Sequence, residues 1–465
     1  MFRRFFTILM LSASAVLAFA SDQPARYVFY FIGDGMGMAH AMAAQVYERT
    51  VRGSEEPLLM MSFPITSAST THSASSPVTD SAAAGTALST GVKTRNGMLG
   101  MSPDTIAETS VARILADNGF GVALVTSVPP DDATPCAFYA HVPSRGMYYE
   151  IGRQMAESGY DFIAGSNLRG LKDKKGQPTD LLEHFAANNV AIAHGLDQLA
   201  DLPAGKVLLL NPPSIDYHQI HFTIDSIPGA MTLPDMTAAA IRRMEDNGRD
   251  RFFMMVEGGN IDYGGHANDG GTIIKEVINF NQALREAYEF YLRHPEETLI
   301  IVTADHETGG MGLGNNSVGY DLHLQYIDYQ KISKDRFAEY CRDIVNSNTP
   351  FTWEEMKEVL KDNFGLWKAI PVDENRELRL KEEFDQAFIS HSDKENKTLY
   401  NSFNGLTEEI FHIIDSATGL GFTTNNHSGG LVPVYAIGVG ADLFAPLNDN
   451  TEIPKKILKA TGYAE

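Results

Sequence analysis

Cysteine is nearly missing from this chain of 465 residues: only Cys136 and Cys341 occur. Two thiols cannot make a disulfide framework, so the fold must rest on its hydrophobic core, and both are expected to be free. Long apolar runs are missing as well. The run from Phe5 to Leu17 is shorter than the ~18 residues of a membrane span, and no other segment reaches that length. Positive charge is scarce, with 37 Lys and Arg against 59 Asp and Glu and a net charge of −22. Such a chain repels nucleic acid and anionic lipid at long range. Internal repeats and low-complexity tracts are also absent, which excludes solenoids and disordered linkers.

The start of the chain explains its one apolar run. Met1-Phe2-Arg3-Arg4 is basic, the run follows, and Ala18-Phe19-Ala20 precedes Ser21. That order reads as a secretory signal over 1–20, and Ser21 in place of Cys gives no lipoprotein anchor. The expected product is an exported chain, 21–465, that is periplasmic or extracellular. Losing Arg3 and Arg4 makes it more acidic still. An acidic protein that handles an anion needs a local positive centre, and bound metal cations can supply one.

Strand and helix patterns alternate along most of the length, the signature of an α/β fold with a large, mostly parallel sheet between helices. Strands are expected at Tyr27–Ile32, Gly121–Ser127, Arg251–Val256, Thr298–Thr303 and Val432–Val439, with a short one near Asp161–Ala164. Helices are expected over Asp104–Asn118, Leu233–Asn247 and Asp269–Leu292. Between about 316 and 420 the texture changes to charged, amphipathic stretches, Lys334–Asn346, Trp353–Phe364, Glu377–Ile389 and Leu406–Ile414. They are expected to form a helical insertion in a single domain, lying over or beside the sheet as a lid, a cap or an interface.

The chemistry gathers at the ends of these strands, where open α/β sheets bind ligands. The first ends in Gly33-Asp34-Gly35, the second runs into Asp131-Asp132-Ala133-Thr134, and Arg251–Val256 leads to Glu257 and then Asp262-Tyr263-Gly264-Gly265-His266. Thr298–Thr303 leads to Asp305-His306, and His427 shortly precedes the last strand. A further stretch, Asp80-Ser81-Ala82-Ala83-Ala84-Gly85, reads as a capped helix start. There a serine alkoxide or phosphate meets free N–H groups and the positive helix end. Its small residues are expected to leave room for a metal cluster and a tetrahedral anion. Arg145 can bind two phosphate oxygens with its planar fork. Nitrogen with carboxylate donors suits zinc, and an oxygen set such as Asp34, Thr134 and Glu257 suits magnesium. The reaction implied is phosphoryl transfer to a serine. His184, His194, His218 and His221 have no ligand spacing.

In this order, the motifs resemble those of the alkaline phosphatases and span Tyr27 to about Gly440. The resemblance implies Ser81 as a nucleophile that becomes a phosphoserine, and Arg145 as the phosphate clamp. It implies one zinc on Asp262, His266 and His427, a second on Asp34, Asp305 and His306, and a magnesium on Asp34, Thr134 and Glu257 with Asp132 beside it. Relatives commonly carry Lys or His where this chain has Tyr263, so Asp132 is expected to lack that cationic neighbour. The substrates implied are small phosphate monoesters, with inorganic phosphate as product; monomer and homodimer both stay open. A phosphodiesterase of the same superfamily is the alternative, against which Arg145 argues for a dianionic ester. A sulfatase is disfavoured because Ser81-Ala82-Ala83-Ala84-Gly85 lacks the arginine of that motif. A non-catalytic phosphate-binding protein would have no need of the nucleophile.

Overall fold

The computed structural model describes residues 23–212, 219–347 and 349–463; the signal read over 1–20 and His218 lie outside the described residues. Ten strands form the main sheet: β1 Tyr27–Ile32, β2 Ile65–Thr70, β3 Gly121–Thr126, β4 Phe162–Ala164, β5 Ala191–His194, β6 Val207–Leu210, β7 Phe252–Glu257, β8 Thr298–Thr303, β9 Val432–Gly438 and β10 Asn448–Asp449. Their order is β10-β2-β9-β8-β1-β7-β3-β4-β6-β5, and only β9 runs against its neighbours.

The continuous apolar runs of the central strands follow from burial on both faces. Along β1, Phe29 and Phe31 face one core while Val28, Tyr30 and Ile32 face the other. β7 and β8 divide in the same way, Met254 and Ile300 on one side and Met255 and Ile301 on the other. The helix Gly270–Arg293 covers the first face; Asp269 caps it by accepting from Thr272 N at 3.0 Å. Among the described residues, no helix is long and apolar enough to cross a membrane.

Register is what builds the site. Ile32 pairs with Glu257 and with Thr303, and Thr126 pairs with Glu257. The C-terminal ends of β8, β1, β7 and β3 therefore lie level along one edge. Asp305, Asp34, Glu257 and the Asp131–Asp132 turn issue from that edge within a few residues of one another.

The expected helix over Asp104–Asn118 is shorter, Val111–Asp117. Ser110 starts it by accepting from Arg113 N at 3.2 Å, and the residues before it turn at Thr105, whose φ is 62°. The amphipathic stretches between 316 and 420 form the helices Lys334–Ser347, Trp353–Phe364, Glu374–Phe384 and Gly405–Thr418. They enclose a core of their own that includes Phe337, Met356, Leu360, Phe364 and Ile410. Lys334, at the start of the first of these stretches, is buried: its ammonium donates to Ala267 O at 2.9 Å and to Glu408 at 3.1 Å. This ties the insertion to the C-terminal end of the helix that carries His266.

Candidate active site

Ser81 opens the helix Ser81–Thr90, capped by the Asp80 carboxylate, which accepts from Ala83 N at 3.0 Å; Gly91 ends it in the left-handed region. The small residues here also permit close packing. A Cβ on Gly85 would come within 3.3 Å of Thr134 Cα, and Ala82 packs in the core, so they let the Thr134 turn approach this helix. Ser81 is 1% exposed, and its Oγ lies 3.2 Å from His306 Nε2.

Around that nitrogen stand Asp305 Oδ2 at 3.1 Å and Asp34 Oδ1 at 3.3 Å. A second group lies beside it. Asp262 is 3.4 Å from His266 Nε2 and 3.6 Å from His427 Nε2, and these two nitrogens face each other at 3.1 Å. The rings of His306 and His427 stack at 3.6 Å between centroids, so the two groups share a wall. Single donor atoms of Asp34, Asp305 and His306 converge within 4.8 Å, as do those of Asp262, His306 and His427. His266 stands next to the second set through Asp262 and His427. Gly35 makes this closeness possible: its φ is 72°, and a Cβ there would meet Thr308 Oγ1 at 2.8 Å and Asp262 Cα at 2.9 Å.

The hydrogen bonds fix the histidine tautomers. His266 Nδ1 lies 2.6 Å from Asn425 O and His427 Nδ1 2.8 Å from Thr79 O, so both Nδ1 atoms donate. Thr308 gives its proton to Asp262 at 2.5 Å and so accepts from His306 Nδ1 at 3.2 Å. All three Nε2 lone pairs then point into the cluster, the orientation a metal ligand needs.

The buried oxygens Asp34 Oδ1, Asp262 Oδ2 and Asp305 Oδ2 have no hydrogen-bond partner among the described residues. Burial, reinforced by Asp305, pushes the Asp34 carboxyl well above the usual carboxylate range. Burial likewise pushes Glu257 up to about 8, although the Thr126 hydroxyl donates to it. Burial opposes a charge on His306, but Asp305 outweighs it and raises that imidazole. Three carboxylates at such depth, with only histidines beside them, are costly unless a cation compensates them. The donor set fits metal cations: nitrogen with carboxylate around Ser81, and oxygen only at Glu257 and Thr134, whose hydroxyl has no partner in regular hydrogen-bond geometry.

Arg145 lies between two acids, 3.5 Å from Asp80 and 2.9 Å from Asp132. Position 263 gives Asp132 a hydroxyl and no cation, but a cation reaches it from elsewhere in the chain. Arg169 donates to Asp132 Oδ2 at 3.0 Å and to the Tyr263 hydroxyl at 2.8 Å, and Tyr263 in turn donates to Asp132 at 3.0 Å. Burial would raise the Asp132 carboxyl, but Arg169 and then Arg145 outweigh it and hold it low. Sequence reasoning missed Arg169 because nothing around it in the chain marks it. Asp131 brings it in, accepting from Arg169 N at 3.1 Å and Gly170 N at 2.7 Å. It also missed Thr308, two residues past His306, and Tyr400 of the insertion, which stacks on Tyr263 at 3.9 Å between centroids.

A buried serine at a helix start, facing histidines and carboxylates at the carboxyl edge of a mostly parallel sheet, defines a hydrolase-type site built for metal ions and an anion. Comparison with known proteins narrows this. A family model described as "Alkaline phosphatase" matches residues 25–169 and 153–463. The chain is 29% identical to "Alkaline phosphatase 3" of Bacillus subtilis over 447 residues, covering 94% of this chain and 89% of that protein. It superposes on the cold-active alkaline phosphatase of a psychrophilic Shewanella with a TM-score of 0.79 at 27% identity, covering 94% and 99% of the two chains. A mutant TAB5 alkaline phosphatase, described with Mg bound in its M3 site, is 26% identical with a TM-score of 0.65, covering 95% and 99%. The chain belongs to the alkaline phosphatase family, metal-dependent hydrolases of phosphate monoesters.

Proposed function

We propose that this chain is an exported phosphomonoesterase that works through a phosphoserine on Ser81. The supporting observation is the placing of Ser81 Oγ, 3.2 Å from His306 Nε2 and at the first turn of its helix, beside carboxylate oxygens that lack partners. Two zinc ions would be held by Asp34, Asp305 and His306 and by Asp262, His266 and His427, and a magnesium by Asp34, Thr134 and Glu257. When bound, these cations supply Lewis-acid stabilisation of the attacking and leaving oxygens.

The remaining work falls to the chain itself. The start of the Ser81 helix favours the serine oxygen as an anion and aims it at phosphorus. Arg145 turns its fork from the two acids to two non-bridging oxygens of the ester, and Asp132, held also by Arg169, keeps that fork in register. Attack forms the phosphoserine and expels the alcohol, and water then releases phosphate from Ser81. The helices of the insertion form a lid over the alcohol side, within one domain covering 21–465.

A chromogenic phosphate monoester and the matching diester, assayed at alkaline pH after loading with zinc and magnesium, test this reading. Esterifying a second oxygen removes one charge-assisted bond to Arg145, a loss of about 1.5 to 3 kcal/mol. The monoester should therefore lead by roughly 10- to 150-fold. Equal or faster diester turnover would move the chain to the phosphodiesterases.

Arg169 gives a second test. In Arg169→Leu the whole charge of Asp132 falls on Arg145 and competes with phosphate. The inhibition constant of inorganic phosphate should rise by roughly three- to tenfold, on the order of 1 kcal/mol. An unchanged constant would remove Arg169 from phosphate recognition.

A further inference from the structure

Next to the phosphate clamp lies a cavity of about 1000 Å³, lined by Arg169, Tyr263 and Tyr400 among others. Arg169 and Tyr263 also hold Asp132, whose other oxygen holds Arg145. The Tyr400 ring stands 5.1 Å from the ring of His266. The cavity thus adjoins the residues that hold the clamp and the donor cluster.

Its walls carry polar atoms without partners. Asn211 is 1% exposed, Gln219 4% and Asp335 7%, and all three line the cavity. Among the described residues, Asn211 Nδ2 and Oδ1, Gln219 Nε2 and Asp335 Oδ1 have no hydrogen-bond partner. Asn211 follows β6 and Gln219 comes eight residues later, while Asp335 belongs to the insertion. A buried polar group without a partner costs about 1 to 3 kcal/mol, so unpaired groups gathered on one cavity argue for a ligand that supplies the missing bonds.

The wall chemistry narrows that ligand. The guanidiniums that line the cavity are engaged: Arg169 by Asp132, Tyr148 and Tyr263, and Arg342 by Asn401 and Ser402 O at 3.2 and 3.1 Å. Lys172 is the one other cation of the lining, and it is outnumbered there by Asp335 and Glu339, which a second anionic group would meet. A nucleobase would find little ring face to stack on, because Tyr263 and Tyr400 cover one another and His266 stands edge-on to Tyr400. What is left over are donors and acceptors in mixed array, the complement of hydroxyl groups, each of which both donates and accepts.

We infer that this cavity is the leaving-group pocket and that it takes an uncharged, polyhydroxylated alcohol, so that the preferred esters are sugar or polyol phosphates. The inference rests on the phosphomonoesterase reading above.

The test compares glucose 6-phosphate, ethyl phosphate and adenosine 5′-phosphate with the zinc- and magnesium-loaded enzyme. The leaving groups are all primary alkoxides, so differences in kcat/KM report recognition. The wild type should prefer glucose 6-phosphate to ethyl phosphate by about tenfold or more. In Asn211→Leu, and separately in Gln219→Leu, that ratio should fall by about fivefold or more. Because the ratio is internal to each preparation, partial misfolding cannot mimic the loss. If one variant fails to fold, the other carries the comparison. A wild-type ratio near one, a ratio unmoved by the substitutions, or adenosine 5′-phosphate ahead of glucose 6-phosphate would each overturn the pocket assignment while leaving the phosphatase reading in place. Hydrolysis of none of the three esters would instead overturn that reading and this inference with it.

Discussion

Ser81→Ala should lower kcat/KM for a phosphate monoester by at least ~10³-fold, the scale seen when a nucleophile that acts as a unit with its neighbours is removed. The change deletes one buried hydroxyl whose contact is His306 Nε2 at 3.2 Å. Alanine is a good helix residue, and the cap from Asp80 to Ala83 N does not involve the Ser81 side chain, so the helix persists. Folding should therefore be unaffected and the loss confined to chemistry. A second readout follows: acid quenching of the wild type with substrate should trap one phosphoryl group on the peptide containing Ser81, visible by mass. If Ser81→Ala keeps more than about a tenth of the wild-type activity, or the trapped group lies on another residue, the phosphoserine route is wrong.

Stripping the metal ions should destabilise the fold, and more so at pH 8 than at pH 6.5. Glu257 and Asp34 have carboxyls raised above their unfolded values, chiefly by burial, Glu257 to about 8. His266 and His306 are raised too: burial opposes this, but Asp262 and Asp305 respectively outweigh it. For all four, the folded state binds more protons than the unfolded chain, so stability falls as pH rises through their folded values. Two groups run the other way, but at lower pH. His427 is held down to about 4 by burial and then by His306, and Asp262 is lowered because His266 outweighs its burial. Their contributions are nearly complete by pH 6.5, the unfolded histidine value, above which His427 adds only about 0.4 kcal/mol. Between about 6.5 and 8 the stripped protein therefore loses stability with rising pH, by up to a few kcal/mol. Bound cations replace the protons and reverse the trend. Thermal melts of chelator-treated and zinc- and magnesium-loaded protein at pH 6.5 and 8 check this, with the widest gap in Tm expected at pH 8. A gap independent of pH would mean that these carboxylates do not face the ions.

Much of the site was legible in the linear chain because its donors sit at strand ends, where local composition is diagnostic. Gly33-Asp34-Gly35 after a buried run, Asp262 and His266 four residues apart, and Asp305-His306 after Thr303 each announce a polar turn at the edge of a sheet. The Ser81 helix was legible for the same reason, with Asp80 and Gly91 marking its ends. Arg169 and Tyr400 were not, because their roles exist only across distance. Arg169 reaches Asp132 from 37 positions away, brought there by Asp131, and Tyr400, between the paired strands Asn396–Lys397 and Ser402–Phe403 of the insertion, lies on Tyr263. The insertion is also less separable than its texture implied. Its core includes Leu406 and Ile410 of the last helix, and Lys334 reaches Ala267 O beside His266. Removing Lys334 to Ile389 would open that core and loosen the histidine helix, so a deletion cannot isolate its effect on substrates.

By itself, the sequence determined the alternation of strand and helix, the chemical nature of the donors and the capped start of the Ser81 helix. These depend on burial period, capping and residue type, which are local. Only the tertiary structure decided which donors share a cluster, which tautomer each histidine holds, that Asp132 lies between two guanidiniums, and that unpaired amides line the space beyond. Those depend on strand register and on contacts between segments hundreds of residues apart, where a shift of one residue would turn every side chain to the opposite face.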